Sequence, residues 1–128
     1  MHPELDAALA PVLHDLESCR VQPILEPWED RNAGMEGVWL KEPDGSGAVA
    51  AVTLGTPNND QLLRLADAVQ EWAVEALNAA ALPAVWPECP RHPNSHPLQP
   101  ALIDQRANWC CPRDGTAIAE IGHLQVAT

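Results

Sequence analysis

The sequence contains no phenylalanine, no tyrosine, a single lysine (Lys41) and no long apolar run. Without Phe or Tyr, its large apolar side chains are five tryptophans and scattered aliphatics, while 20 residues are alanine. A core built from such residues is thin and hangs on few large side chains. The scarcity of lysine leaves seven basic residues against 18 acidic ones, a formal charge of −11. That balance repels phosphate backbones and anionic headgroups, so general nucleic-acid and membrane binding are disfavoured. No run approaches the roughly 18 apolar residues that span a bilayer, and the N-terminus has neither the basic flank nor the apolar stretch of a secretory signal. A cytoplasmic protein with reduced cysteines is expected. At 128 residues it has room for one domain, or one with a small appendage.

What is present is unevenly placed. Residues 1–82 hold 14 acidic and four basic side chains, whereas residues 83–128 hold four and three. Six of the 13 prolines fall between Pro83 and Pro100. Proline fixes φ and lacks an amide donor, so this stretch can be neither a helix nor a central strand. The chain is therefore read as an acidic α+β unit, 1–82, followed by a proline-rich join and a small β module, 83–128.

In the first unit, Leu5, Leu9, Val12, Leu13 and Leu16 recur at helical spacing and predict a helix from about Pro3 to Cys19, kinked or split at Pro11. Pro23 and Pro27 punctuate a connection. Gly37 to Glu42 and Ala48 to Leu54 read as the strands of a hairpin around Pro43-Asp44-Gly45-Ser46-Gly47, which has turn chemistry at nearly every position. Thr56 and Pro57 supply an N-cap and first position for a long amphipathic helix. Its apolar stripe is Leu62, Leu65, Ala66, Val69, Trp72, Ala73, Ala76, Leu77 and Ala80; Arg64, Asp67, Glu71, Glu75 and Asn78 lie opposite. The acidic spacing of four reads as a solvated face before it reads as a docking surface.

The chemical clue lies in the last 40 residues. Cys89-Pro90-Arg91-His92 and Cys111-Pro112-Arg113-Asp114 echo each other, each placing a potential metal ligand three residues after a cysteine. Ligand pairs separated by two residues converge on one ion in a tight turn, the arrangement that serves tetrahedral zinc. Cys89, His92 and Cys111 are the firmest ligands. For the fourth, His96 is favoured because imidazole suits zinc beside two thiolates, and Asp114 is the alternative. Cys110 would point away from Cys111 in an extended strand, and Cys19 reads as a core filler. His2, His14 and His123 read as surface residues.

Over residues 86 to 122 this pattern resembles the zinc-ribbon, or rubredoxin-like knuckle, modules, whose half-site is Cys-Pro-x-Cys-Gly. Asp114 and His92 stand where the second cysteines belong, and Pro93 replaces one glycine. The resemblance implies three short strands with a knuckle at each connection, here Leu98 to Ile103, Ala107 to Cys111 and Thr116 to Ile121. A sheet this small needs a staple, which structural zinc provides. Trp86 and Trp109 flank the knuckles and are expected either to cover the site or to pack in the core.

The expected function is that of a non-catalytic, zinc-stabilised binding module with a protein partner. One alternative is an acidic inhibitor or immunity-type protein that blocks a basic site on a toxin or nucleic-acid enzyme. A lesser one is a zinc hydrolase in which Cys89, His92 and Cys111 leave a position open to water, with Asp114 or Glu88 as base. No helical His-Glu-x-x-His, deaminase signature, phosphate loop or nucleophile elbow supports catalysis. Arg91, Arg106 and Arg113 are a weak footprint for nucleic acid. Oligomeric state cannot be read from the sequence.

Overall fold

Pro3 opens helix α1 (Pro3–Leu16), where its missing amide proton leaves no helical bond unmade, and Nδ1 of His2 caps it by accepting from the Glu4 amide at 3.1 Å. In the computed structural model, which describes residues 2–93 and 95–125, α1 is followed by β1 (Ile24–Asp30), β2 (Met35–Lys41), β3 (Gly47–Thr53), α2 (Asn58–Ala79), β4 (Gln99–Ile103), β5 (Arg106–Cys110) and β6 (Ala117–Glu120). The protein is thus α+β, with two helices and two three-stranded antiparallel sheets ordered β1-β2-β3 and β4-β5-β6. Among the described residues, no helix is long and apolar enough to cross a membrane.

Three details correct the sequence reading. Pro11 neither splits the first helix nor ends it; α1 runs on to Leu16 and stops short of Cys19. The connection through Pro27 is strand β1, so the expected hairpin is a three-stranded meander. Pro27 can sit opposite Val38 only as a pair without a ladder bond from its nitrogen, which faces the free edge. Helix α2 begins one residue later than expected: Pro57 holds the N-cap position without a side-chain cap, and the Thr56 hydroxyl donates instead to the Thr53 carbonyl at 2.7 Å.

The turn between β2 and β3 matches its chemistry. Gly45 takes a φ of +90°, and the Asp44 carboxylate accepts from the Ser46 amide at 2.9 Å. At Gly37 a Cβ would overlap the Ala50 carbonyl and stand 2.7 Å from the Ala51 Cβ. Gly37→Ala is therefore expected to force β2 from β3 and lower stability by about 2 kcal/mol, measured by urea denaturation. A loss under about 0.5 kcal/mol would refute this close packing.

Helix α2 is the central element, touching β3 on one side, α1 alongside, and β4 and β5 beyond. Leu65, Ala66, Val69, Trp72, Ala73, Ala76 and Leu77 are buried as the stripe predicts; Leu62 is only half-buried and Ala80 is exposed. The face bearing Arg64, Asp67, Glu71, Glu75 and Asn78 is exposed. The two regions that differ in charge share one core, in which Leu5, Leu9, Val38 and Leu40 join Leu98, Ala107, Trp109 and Ile121. Residues 126–128 of the expected second unit lie outside the described residues.

Candidate metal centre

The second sheet is built for tight turns. Asp104 and Gln105 both adopt positive φ between β4 and β5, as a two-residue hairpin turn requires. Between β5 and β6 the register shifts at Trp109/Cys110. The extra residue, Ile118, lies on β6, while Trp109, Cys110 and Cys111 at the end of β5 are all buried. Beyond it, the Cys111 amide donates to the Thr116 carbonyl at 2.8 Å and the Gly115 amide donates to the Cys111 carbonyl at 2.8 Å, closing one knuckle. In the other, the His92 amide donates to the Cys89 carbonyl at 3.1 Å.

These two turns bring Cys89, His92, His96 and Cys111 together, with one ligand atom of each within 4.8 Å of all the others. His92 Nδ1 lies 3.6 Å from Cys89 Sγ, 3.5 Å from Cys111 Sγ and 3.2 Å from His96 Nε2. A tetrahedral ion with bonds of about 2.3 Å to sulfur and about 2.05 Å to nitrogen has edges of roughly 3.6 Å (S···N) and 3.3 Å (N···N). The three distances from His92 Nδ1 meet those edges, and the remaining pairs lie within 4.8 Å. His96 joins the cluster although Pro93 and Pro97 exclude the helix on which an i,i+4 pair would share a face. Its Nδ1 lies 3.2 Å from the Pro97 carbonyl; a proton donated there leaves Nε2 with the free lone pair. Both cysteines are fully buried, whereas the imidazoles are half-buried and form the outer wall. Burial, followed by the positive charges of Arg113, His96 and Arg91, lowers the pKa of His92 and so favours the neutral, ligating ring.

Asp114, the alternative ligand, is not in this group. Its carboxylate accepts from the Thr116 amide at 2.9 Å and pairs with Arg91 at 2.6 Å. The Thr116 bonds and the Arg91 charge hold its pKa down to about 2. Cys110 also stays outside: its Sγ is 3.9 Å from the Asn108 carbonyl, and burial raises its pKa. Burial likewise raises the pKa of Cys19 in the core. His14 and His123 are exposed, as expected.

Trp86 and Trp109 pack edge to face, ring centroids 5.5 Å apart, within the shared core. Trp86 Nε1 donates to Ser18 Oγ at 2.9 Å, and Trp109 Nε1 donates to Asp15 Oδ2 at 2.8 Å. Asp15 was missed by the sequence reading. It is 1% exposed and also accepts from the amides of Gly122 (2.6 Å) and Leu124 (3.0 Å). The sequence does carry a signal: Ala8, Val12, Asp15 and Cys19 follow helical spacing, so a carboxylate falls within the apolar stripe. Gln70 completes the support from α2, its Nε2 donating to the carbonyls of Trp86 (3.2 Å) and Leu98.

Comparison with protein-family models, curated proteins and solved structures finds no match. The tetrad is consequently read from its own geometry: two thiolates and two imidazoles positioned to bind one metal ion.

Proposed function

We infer that Cys89, His92, His96 and Cys111 hold a structural zinc ion, and that the chain is a non-catalytic, zinc-stabilised protein-interaction module with a ribbon-like second half. The convergence of the four ligand atoms within 4.8 Å of one another, with His92 Nδ1 at tetrahedral distance from the other three, carries this reading. Two imidazoles beside two thiolates favour zinc over iron. Four protein ligands fill the tetrahedron, which leaves no position for an activated water and disfavours the hydrolase alternative. The order β4-β5-β6, with a knuckle before and after the central hairpin, supports the resemblance to a zinc ribbon.

The test is native mass spectrometry of the purified chain beside two variants. One equivalent of zinc is expected in the wild type and in Asp114→Asn, because Asp114 is engaged by Arg91 and Thr116. His96→Ala is expected to weaken zinc retention against a competing chelator by at least about tenfold. Less than half an equivalent in the wild type, or equal retention in His96→Ala, would remove the proposal.

A further inference from the structure

The meander β1-β2-β3 has one face on the core and one without. Val38, Leu40, Ala50 and Val52 point inward and are buried. Strand alternation puts Ile24, Trp28, Met35, Trp39, Val49 and Ala51 on the other face. Lys41 Nζ meets Glu26 Oε2 there at 2.8 Å, which confirms that the two strands share that face. Ile24 is 55% exposed and Trp39 36% exposed. A chain with five tryptophans thus spends some of its scarce large side chains outside the core.

Three observations define what would cover this face. Its surroundings are acidic: Glu26 and Asp30 on the face itself, with Glu42 and Asp44 at the turn that ends β2, stand against Lys41. The free edge is blunted by Pro27, so an added strand would lack a donor at its centre. Finally, seven-residue strands are about 23 Å long and about 5 Å apart, giving a face of roughly 300 Å². A standard interface buries about 800 Å² per partner, and a second copy would also bring like charges together.

We propose that the outer face of the first sheet docks a cationic amphipathic helix of a partner protein. The proposal rests on the interaction-module reading and names its partner class. Such a helix of about four turns is roughly 22 Å long and 10 Å wide, which matches the face. Its apolar stripe lies on Trp39 and Ile24, and its lysines or arginines reach the acidic rim.

The probe is a synthetic helical peptide of about 14 leucines and lysines, titrated calorimetrically into the full chain, with a leucine–glutamate peptide of the same pattern as control. Saturable one-to-one binding is expected for the lysine peptide only. Trp39→Glu and, separately, Ile24→Glu are expected to weaken it at least about tenfold, each variant first shown to retain the wild-type circular dichroism. Both substitutions add negative charge, so general attraction would strengthen binding instead. Unchanged or tighter binding by the variants, equal binding of the glutamate peptide, or a wild-type dimer that Trp39→Glu dissociates would overturn the proposal. Zinc content measured on the same samples separates the two readings: a fully loaded chain that ignores the peptide refutes the docking face and leaves the metal centre intact.

Discussion

Removal of the metal, by a chelator or by Cys111→Ser, is expected to unfold the second sheet. In small modules structural zinc contributes on the order of 10 kcal/mol, comparable with the 5–15 kcal/mol that stabilises a whole domain. The four ligands join segments more than 20 residues apart, Cys89 and Cys111. Without the ion, two buried thiols and two imidazoles keep only their weak mutual contacts around His92 Nδ1 to draw them together. The near-UV circular dichroism of the Trp86–Trp109 pair reports the loss directly, since both rings sit in this half of the core. That signal is expected to collapse while part of the far-UV helical signal, from α1 and α2, persists. Restoring one equivalent of zinc is expected to recover it, but not in Cys111→Ser. A metal-free chain, verified by mass spectrometry, that kept its near-UV spectrum and melting temperature would contradict the role of the ion as a staple.

The second large effect is expected at Asp15. Its carboxylate gathers Trp109 Nε1 and the amides of Gly122 and Leu124, all supplied by the second sheet and its exit, onto the end of α1. Asp15→Ala strands these donors in a site that water does not reach, and hydrogen bonds to a charged group contribute about 1.5–3 kcal/mol each. A loss of about 3–4 kcal/mol in urea denaturation is expected, less than the summed bonds because the site relaxes. Asp15→Asn keeps one acceptor oxygen but turns an NH2 toward the remaining donors, so it is expected to be destabilised nearly as much. If either variant lost less than about 1 kcal/mol, Asp15 would not be the tie between the two halves.

Asp15 also shows where sequence reasoning ends. Helical periodicity located α1 and α2 because an amphipathic stripe is a local property of the chain. The outcome at Pro11 was not local: its ring packs where Gly122, at φ +103°, comes closest, and any Cβ at that glycine would stand 2.9 Å from the Pro11 Cβ. Strand β1 escaped notice because proline reads as a breaker, whereas at a sheet edge its missing donor falls where no partner waits.

At the candidate site the division follows the same line. Cysteine, proline and histidine spacing by itself determined that two knuckles could share an ion, since ligand pairs in tight turns are short-range chemistry. Only the tertiary structure decided that His96 joins the tetrad while Asp114 turns to Arg91 and Thr116, because that choice depends on segments brought together from 20 residues apart. The charge imbalance was likewise written in the composition. Which surface it surrounds was not: an exposed sheet face exists only once the opposite face has been buried, and burial is decided by the whole chain at once.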